Sequence, residues 1–487
     1  MNPIPSIAKC DIFWHVPMQG PTQGTGNSDT DPVKVGTLAR ANNHLYFAYD
    51  QEWLALGIEI SPSSLPISFG TTPVSLTDSS SSAYVRDLEL RNELRGLPGP
   101  FYDSLPDKWG MTLLSRHTGK DADELAATDI LCHRGNRCMG AFSYEPAFGR
   151  SARDENLFAL DIDLYCRQAA FITSGNEPES LEDSVLDALE DSGGSAGGMR
   201  PKMLLAIHSA SLARDSAAEI PTLRKLTGYD HHDMPSDFSP WLLKFDTDPE
   251  KFRGRIEQAC ALMARAAGVE LPETTVIDTH SSGVRRSHFA VKRFDRELVN
   301  GKWRRVHMHT AAGMLQRDFN ALDLDYTDLL ELTRILTNDP VQIRQIYTRA
   351  VFNVLAGNSD DHAKNHAFLF GADGQWKISP AYDLTPSSLR LQPGIRSTSV
   401  LGEKREKIPL RLLLELADHH EIEKPKEIIQ VVSDAIRQWG SFAKAAGVPE
   451  SIYRRYGERM AKIHPPELKG TGRKPPGSQK KNDDPSR

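Results

Sequence analysis

Alternating apolar and polar residues dominate the first hundred positions of this chain and predict β-strands. Two of these strands form a hairpin that turns at Asn42-Asn43, because asparagine adopts the left-handed conformation at low cost. The predicted strands are CDIFWHV, the hairpin KVGTLARANNHLYFAYD, and TTPVSLTDSSSS, which ends in a polar loop. The period then lengthens, and LPDKWGMTLLSRHTG and DADELAATDILCHR predict two helices.

The middle of the chain mixes the two periods. A helical pattern at 248–269 places Phe252, Ile256, Cys260, Met263 and Ala267 on one face, and Gly268 suits its end. ESLEDSVLDALED predicts a further helix. The predicted strands are KMLLAI, WLLKFD, ETTVIDTH and HFAVKRFDREL, followed by a hairpin that turns at Asn300-Gly301.

Beyond about residue 325 the pattern is almost entirely helical. The predicted helices are YTDLLELTRIL, PVQIRQIYTRAVFNVLAG, PLRLLLELADHH, KEIIQVVSDAIRQWGSFAKAAG and ESIYRRYGERMAKI. One β-like segment, HAFLFGADGQWKIS, interrupts them. The last residues, 466–487, have very little apolar content, so we expect a disordered basic tail there.

This order of elements predicts an α+β fold with two lobes, as in protein kinases, where the nucleotide lies between a strand lobe and a helical lobe. We expect a β-rich N-terminal subdomain at 1–135, a strand-rich lobe with a glycine-rich phosphate loop at 136–296, and a helical lobe with the catalytic loop at 297–465.

Composition narrows the class of protein. The 487 residues are 39% hydrophobic and 25% charged, as in a soluble globular protein, and exceed one ordinary domain. The net charge of −7 argues against a surface that binds nucleic acid throughout. The five cysteines are irregularly spaced, and Cys132 and Cys138 flank His133 without a second pair, so we expect reduced thiols and no zinc site. With no apolar leader or membrane span in the pattern, we expect a cytoplasmic protein.

The segment GNSDDHAKNHAFLFGADGQWKISPAYDL (357–384) carries the most chemical information. Asp360 and Asn365 lie five positions apart in a polar loop after a long helix, and Asp383 follows a predicted hairpin. Kinases need an aspartate that orients the acceptor hydroxyl, then an asparagine and an aspartate that hold Mg²⁺. The alternative interpretation is an acidic loop that only caps a helix.

Two further segments fit a nucleotide site. Lys244 is the charged residue of an otherwise apolar strand, and Glu257 in the next helix is its candidate partner; the alternative is an edge-strand lysine that faces water. In VKRFDR (291–296), backbone groups of Lys292 to Phe294 are candidates to bind an adenine edge, and Asp295 a ribose hydroxyl. The alternative there is a strand end with Phe294 in the core.

Four glycines crowd the segment DSGGSAGGMRPKMLL (191–205), and Lys202 follows them. Successive amide N–H groups in such a loop can cradle phosphate oxygens. The segment lacks both the P-loop and the dinucleotide-binding patterns. A flexible linker between a helix and a strand is the alternative.

Together these segments resemble the HipA family of serine/threonine kinase toxins, over about residues 30 to 440. The motifs that carry the resemblance are VGTLARANNHLYFAYDQEWLA, LPDKWGMTLL, GNRCMGAFSY, SAGGMRPK, WLLKFD, VKRFDR, GNSDDHAKNHAFL and ISPAYDL, in the family's order. Two features depart from the family's pattern: Met199-Arg200-Pro201 before the lysine, and the basic C-terminal tail.

The resemblance implies a two-lobed fold of the HipA and phosphatidylinositol-kinase type, and roles for individual residues. It implies Asp360 as the catalytic residue, Asn365 and Asp383 as magnesium ligands, and autophosphorylation of Ser195. The residues that it implies at the ATP site are Ser195, Ala196, Gly197, Gly198, Lys202, Lys244, Lys292, Phe294, Asp295, His362 and Lys364.

The resemblance also implies partners: a small helix-turn-helix antitoxin of the HipB type, DNA only through that antitoxin, and a protein substrate such as an aminoacyl-tRNA synthetase. No membrane partner is expected. Two other functions stay open. Asp360, His362 and Asn365 form the D-x-H-x-x-N pattern that phosphatidylinositol kinases also carry, and a kinase scaffold can serve as a non-catalytic binding or co-repressor protein.

Overall fold

The structure is a computed structural model, and it describes residues 5–16, 32–148, 161–174, 183–193, 200–209, 223–225, 234–281, 283–318, 321–386, 394–465 and 468. The predicted tail at 466–487 therefore lies, but for residue 468, outside the described residues.

The N-terminal subdomain is built on an antiparallel sheet of order β4-β3-β2-β1-β5. Its strands are β1 (Lys9–Trp14), β2 (Val33–Ala41), β3 (His44–Tyr49), β4 (Val74–Ser75) and β5 (Phe142–Glu145). The hairpin between β2 and β3 turns at Asn42 and Asn43, both at positive φ, as the sequence predicted. The strand predicted at 71–82 shortens to β4. β5 follows residue 135 in the chain yet completes this sheet.

Five helices of the described residues accompany this sheet: α1 (Gln51–Leu56), α2 (Leu88–Glu93), α3 (Gly99–Tyr102), α4 (Lys108–Thr118) and α5 (Ala127–Arg134). Asp107 caps α4, since its Oδ1 accepts a hydrogen bond of 2.8 Å from the Gly110 amide. The core between the helices and the sheet contains the buried rings of Trp14, Phe47, Trp53 and Phe101. Both predicted helices of this region are confirmed, and a 3-10 turn at Ala122–Glu124 precedes the second.

The middle region holds a second five-stranded sheet, of order β7-β6-β8-β10-β9. Its elements are α6 (Ile162–Ser174), α7 (Asp183–Gly193), β6 (Lys202–His208), β7 (Leu223–Lys225), β8 (Phe238–Lys244), α8 (Arg253–Ala266), β9 (Thr274–Ser281) and β10 (Val284–Lys292). In α8, the predicted apolar face of Ile256, Cys260 and Met263 is buried. β6 and β8 lie inside the sheet and read as continuous apolar runs, because both of their faces are covered.

Short strands connect this sheet to the helical lobe. They form a hairpin of β11 (Arg296–Val299) and β12 (Lys302–Arg305), a sheet of β13 (His307–Thr310), β15 (Ala367–Phe370) and β16 (Trp376–Ile378), and a sheet of β14 (Leu324–Asp325), β17 (Ile395–Val400) and β18 (Glu403–Arg405). The hairpin turns at Asn300 and Gly301, both at positive φ, as predicted. The sequence did not predict β17, although it supports the site described below.

The helical lobe contains α9 (Ala311–Leu315), α10 (Tyr326–Thr337), α11 (Pro340–Ala356), α12 (Leu410–His419), α13 (Pro425–Arg437), α14 (Trp439–Ala445) and α15 (Glu450–Ile463). One long helix was predicted over 426–447, which is wrong, because the backbone leaves the helical conformation at Gln438. The break lets α14 reach α8, where Arg255 donates a hydrogen bond of 3.0 Å to the Ala446 carbonyl. Among the described residues, no helix has the length and apolar character needed to cross a membrane.

The N-terminal subdomain packs closely against the helical lobe. Gly99 in α3 touches Gly313 in α9 so closely that no side chain fits between them. Next to this contact, Asp103 accepts hydrogen bonds from the backbone N–H of Thr310 at 2.7 Å and from its hydroxyl at 2.6 Å. Asp103 also lies 2.5 Å from Nδ1 of His309. The segment around α3 is therefore fixed beside the cleft between the lobes.

Candidate active site

A cavity lies where the middle sheet, the helical lobe and the N-terminal subdomain meet. All three regions contribute to its wall, and Leu242, Val291 and Leu384 give it apolar sides. The polar residues that line it include Asp107, Lys244, Glu257, Lys364, Asn365 and Asp383. The cavity therefore joins segments that the sequence analysis singled out separately.

Lys244 ends β8 with its ammonium group between two carboxylates. Its Nζ lies 2.9 Å from Oε2 of Glu257 and 2.8 Å from Oδ1 of Asp383. The side chain is only 14% exposed, so Lys244 is not an edge-strand lysine that faces water. Burial lowers the pKa of Lys244. The nearby ammonium lowers the pKa of Asp383 to about 2, so this carboxylate is ionised at neutral pH.

Glu257 binds a second cation that the sequence analysis did not identify as its partner. Its Oε1 forms an ion pair with Arg200, the residue that departs from the family's pattern. Arg200 also donates a hydrogen bond of 3.1 Å from Nε to the Phe245 carbonyl at the end of β8. Burial lowers the pKa of Arg200 to about 10, which still leaves it charged at neutral pH. Glu257 is thus shared between Lys244 and Arg200.

The predicted catalytic loop follows α11, which ends at Gly357 with a φ of +74°. Asp360 is exposed to solvent, and its loop reaches the cavity through Lys364 and Asn365. The Asn365 amide nitrogen donates a hydrogen bond of 2.9 Å to the Asp360 carbonyl oxygen. This contact orients the Asn365 side chain and fixes the loop between the two residues.

A buried network supports this loop from the side of the helical lobe. Asp361 is 1% exposed, and its Oδ2 accepts hydrogen bonds of 2.6 Å from Arg396 and 2.7 Å from the Tyr326 hydroxyl. Arg396 also donates to the Asn358 carbonyl at 3.1 Å. Thr398 in β17 adds contacts to both the side chain and the carbonyl of Asp361. Asp361 is therefore a structural residue, although it adjoins Asp360 in the sequence.

The same network extends to Asp383 through two asparagines. Asn353 donates a hydrogen bond of 2.9 Å to the Tyr326 hydroxyl, and Asn358 donates to the Asn353 side chain at 3.1 Å. The Asn358 amide also donates to the Asp383 carbonyl at 3.1 Å. Asp383 has a φ of +57°, an uncommon conformation for a residue with a side chain. These contacts hold its backbone in that conformation and direct its carboxylate towards Lys244.

Part of the segment VKRFDR borders the cavity, whereas its Asp295 does not. Lys292 and Phe294 line it, and the Phe294 ring lies 5.6 Å from that of Tyr382. The backbone N–H groups of Lys292 and Arg293 already donate to the carbonyls of Glu273 and Pro240, both at 2.9 Å. Of the backbone groups predicted to bind an adenine edge, these two N–H groups are therefore excluded. The Phe294 N–H and the carbonyl oxygens of residues 292–294 stay candidates.

Asp295 does not fit the predicted contact with a ribose hydroxyl. Its side chain is completely buried and accepts hydrogen bonds from Arg293, Arg296 and the Gly140 amide at 2.8 to 2.9 Å. Burial alone would raise its pKa, but the two arginines outweigh burial and hold the pKa well below its ordinary value. Asp295 therefore connects the N-terminal subdomain to the middle sheet.

The other predicted nucleotide contacts lie on the subdomain side of the cleft. Lys202 is 2% exposed and forms an ion pair with Asp107. The Lys364 ammonium lies 4.2 Å from the centre of the Tyr102 ring and 3.8 Å from Oε1 of Glu93. Burial lowers the pKa of Lys364 and also that of His362. In this structure both lysines therefore contact the N-terminal subdomain.

The remaining predicted site residues are Ser195, Ala196, Gly197 and Gly198, which lie outside the described residues. Their assigned roles stay predictions. All five cysteines are buried with free thiols, and the described residues hold no group of three histidine, cysteine or acidic side chains able to bind a metal ion.

Asn365 and Asp383 fit a magnesium ion of the kind that also binds phosphates. Both line the cavity, and they offer amide and ionised carboxylate oxygens, the hard ligands that Mg²⁺ prefers. Magnesium often takes only one or two protein ligands and completes its shell with phosphate oxygens and water. A third acidic side chain is therefore not needed for this assignment.

Comparisons with known proteins agree with this architecture. A family model described as the HipA-like C-terminal domain matches residues 194–460, and one described as the HipA N-terminal domain matches residues 30–145. A solved structure from Shewanella oneidensis MR-1, of the toxin–antitoxin system HipA, HipB and its operator DNA, contains a chain of the same fold. That chain aligns with a TM-score of 0.56 and 16% identity, over 88% of this chain and 94% of its own length.

Two curated relatives carry kinase names. A protein of Haemophilus influenzae, named "Putative kinase", is 21% identical over 189 residues, which are 37% of this chain and 54% of that protein. "Putative kinase Y4mE" of Sinorhizobium fredii is 27% identical over 212 residues, which are 42% of this chain and 44% of that protein. The chain thus matches about half the length of these relatives.

The family model for the C-terminal domain spans more than half of the chain and includes β8, α8, the predicted catalytic loop and Asp383. The family model for the N-terminal domain matches the residues before it. Both matched regions contribute residues to the wall of the same cavity. From these matches and this architecture, the chain belongs to the HipA family.

Proposed function

We propose that this protein is an ATP- and Mg²⁺-dependent serine/threonine protein kinase and the toxin of a HipA-type toxin–antitoxin system. The observation that carries the proposal is the contact of Lys244 with both Glu257 and Asp383 at the wall of the cavity. A buried lysine that a helix glutamate orients, next to an ionised aspartate, is the arrangement that protein kinases use to bind nucleotide phosphates.

Each residue would have a separate task in the reaction. Asp360 orients the acceptor hydroxyl and receives its proton as the acceptor oxygen bonds to the γ-phosphorus and the bond from that phosphorus to the bridging oxygen breaks. The Lys244 ammonium exchanges its contact with Asp383 for a contact with the phosphates. Its contact with Glu257 is kept and orients the side chain. Bound magnesium, held by Asn365 and Asp383, would supply positive charge for the phosphate oxygens.

The adenosine part of ATP fits the apolar side of the cavity. Leu242, Val291 and Leu384 offer surfaces for the adenine ring, and the Phe294 N–H lies at the strand end where its edge would bind. Asp360 is exposed, so an acceptor on another protein can reach it. That access favours a protein substrate.

The proposal includes a partner and a self-modification. The solved HipA structure of the same fold is a complex with HipB and operator DNA, which supports a HipB-like antitoxin as the partner of this chain. DNA would then be bound through the antitoxin. Ser195 is the proposed site of autophosphorylation, and an aminoacyl-tRNA synthetase is a candidate for the protein substrate.

A transfer assay tests the proposal. The purified chain is incubated with γ-labelled ATP, with and without Mg²⁺, and with a bacterial lysate or with phosphatidylinositol vesicles. We expect magnesium-dependent labelling of protein and of a peptide that contains Ser195. Labelling of lipid alone would favour a lipid kinase, and no labelling of any kind would contradict the proposal.

Expression in bacteria distinguishes catalysis from binding. We expect the wild-type chain to arrest growth when it is produced alone, and Asp360→Asn to relieve the arrest. Arrest that persists in the variant would favour a non-catalytic binding protein. Production of a cognate helix-turn-helix protein should relieve the arrest without any mutation.

A further inference from the structure

The motif LPDKWG of the N-terminal subdomain has no role in the proposed reaction, yet it reaches the cavity. Its Asp107 precedes α4, and the two carboxylate oxygens have different partners. Oδ1 accepts the 2.8 Å hydrogen bond from the Gly110 amide that caps α4. Oδ2 binds the Lys202 ammonium, and both side chains are at most 5% exposed. Asp107 thus joins a helix of the subdomain to the first residue of β6.

Lys202 and Lys244 occupy equivalent positions on neighbouring strands. They lie directly opposite each other in the antiparallel pair of β6 and β8, so both side chains point to the same face of the sheet. Two like charges in such a position repel each other unless anions separate them. Glu257 and Asp383 accompany Lys244, and Asp107 accompanies Lys202. Asp107 is therefore the carboxylate that balances the charge of Lys202, in the same way as Glu257 balances the charge of Lys244.

The same motif also fixes the backbone of Lys202. The Trp109 indole N–H donates a hydrogen bond of 3.1 Å to the Lys202 carbonyl oxygen, and the ring is 2% exposed. Lys202 is thus held at its ammonium by Asp107 and at its main chain by Trp109. In the sequence, Lys202 lies four positions after Gly198, the last glycine of the glycine-rich segment.

We infer that Asp107 and Trp109 are positioning residues of the nucleotide site, through which the N-terminal subdomain holds Lys202 for the phosphates of ATP. The inference rests on the proposed function. It gives Asp107 and Trp109 a part in phosphate binding and none in binding adenosine, because both contact Lys202, the first residue of β6.

Nucleotide binding measured by calorimetry on the full chain tests this inference. The probes are the β,γ-imido analogue of ATP with Mg²⁺, and adenosine, which lacks phosphates. Asp107→Asn retains a side-chain oxygen that can cap α4 but removes the charge that Lys202 needs. Trp109→Phe retains a buried aromatic ring and removes the hydrogen bond together with part of the ring volume. Asp123→Asn is the control, since Asp123 forms an exposed ion pair with Arg95 in the same subdomain.

We expect Asp107→Asn to weaken binding of the ATP analogue about tenfold, as for the loss of one charged contact, and Trp109→Phe to weaken it about threefold. Adenosine binding should stay within about twofold of the wild type in both variants, and Asp123→Asn should change neither. In a Lys202→Met background, Asp107→Asn should have little further effect on the analogue.

Equal weakening of the analogue and of adenosine would overturn the inference, because it would indicate a general loss of structure. Unchanged binding in Trp109→Phe and Asp107→Asn would also overturn it, as would a full effect of Asp107→Asn in the Lys202→Met background. If the wild-type chain does not bind the analogue at all, the proposed function itself fails, and the inference fails with it.

Discussion

The two sides of the cavity are held in place in different ways. On the side of the predicted catalytic loop, Asp361, Arg396 and Tyr326 form a buried network in which each side chain has more than one partner. On the side of the middle sheet, Glu257 and Asp383 share the charge of Lys244, with Arg200 as a further cation. The first arrangement fixes one backbone conformation, and the second consists of contacts that can be exchanged.

This difference suits the two tasks of the proposed kinase. The loop must present Asp360 and Asn365 in a constant geometry, and a network of buried hydrogen bonds provides it. Lys244 must instead exchange its contact with Asp383 for the phosphates when they arrive, while Glu257 stays bound to it. Breaking a contact should therefore affect folding on the side of the loop and nucleotide binding on the side of the sheet.

The largest expected effect separates the two carboxylates closest to the chemistry. Asp360→Asn should lower transfer about 10³-fold and leave binding of Mg²⁺ with the ATP analogue intact, because Asp360 acts on the acceptor. Asp383→Asn should lower transfer similarly and also weaken magnesium-dependent binding, because an ionised ligand is lost. Initial rates and calorimetric titrations measure the two quantities. Full activity in either variant would contradict the roles given to these residues.

The second prediction concerns the network below the loop. Arg396→Met should lower the free energy of unfolding by about 3 kcal/mol, because the buried charge of Asp361 loses its partner. The matched control is Arg405→Met on the same hairpin of β17 and β18. Arg405 pairs with Glu403 at an exposed position, so its loss should cost at most about 0.5 kcal/mol. Urea denaturation gives both values, and similar losses would show that burial is not decisive.

The third prediction concerns the exchangeable side. Lys244→Met should weaken binding of the ATP analogue about tenfold, which is about 1.4 kcal/mol. Arg200→Gln should weaken it no more than about threefold, because Lys244 and Glu257 keep their contact without Arg200. Titrations of both variants beside the wild type measure this order. A larger loss in Arg200→Gln than in Lys244→Met would reverse the assignment of the two cations.

The smallest effect is the pH dependence of stability through His288 in β10. Burial lowers its pKa to about 3, and Arg200 and Arg286 add to this shift while Asp163 and Asp278 oppose it. The unfolded chain binds the proton near pH 6.5. Stability is therefore complete above pH 6.5 and falls as the pH drops from 6.5 towards 3.

Between pH 7.5 and 5.5, His288 should contribute a loss of about 1 kcal/mol in the free energy of unfolding. In the wild type, the Asp246 amide donates to Nδ1 of His288, and the Thr279 hydroxyl lies 3.0 Å from its Nε2. His288→Gln removes the titrating group but keeps a polar side chain that can hydrogen-bond to these neighbours. The variant should therefore lose about 1 kcal/mol less than the wild type over this range. An equal loss in both proteins, from denaturation at the two pH values, would exclude His288 as a contributor.

Local elements of the fold were predictable from the sequence. The hairpins at Asn42-Asn43 and Asn300-Gly301 and the buried face of α8 are encoded by residues that are neighbours in the chain. The contact between Asn365 and the Asp360 carbonyl spans only five residues of one loop. The failure at Gln438 has a related cause, since the apolar period continues across the break and gives no sign of it.

The partners of the charged residues were decided by the tertiary structure. Lys202 and Asp107 are 95 positions apart, and Lys244 and Asp383 are 139 apart. The chain has 58 basic and 65 acidic residues, so each lysine has many possible carboxylate partners. The sequence does not indicate which of them lies beside it in the fold.

The sequence by itself determined the order of the motifs, the type of most elements and the residue types that the chemistry needs. The packing of the subdomain against two lobes decided that Asp107 meets Lys202 and that Asp295 turns away from the cavity. Packing within the helical lobe decided that Asp361 meets Arg396. Backbone pattern acts over a few residues, whereas an ion pair forms only where separate elements pack side by side and exclude water.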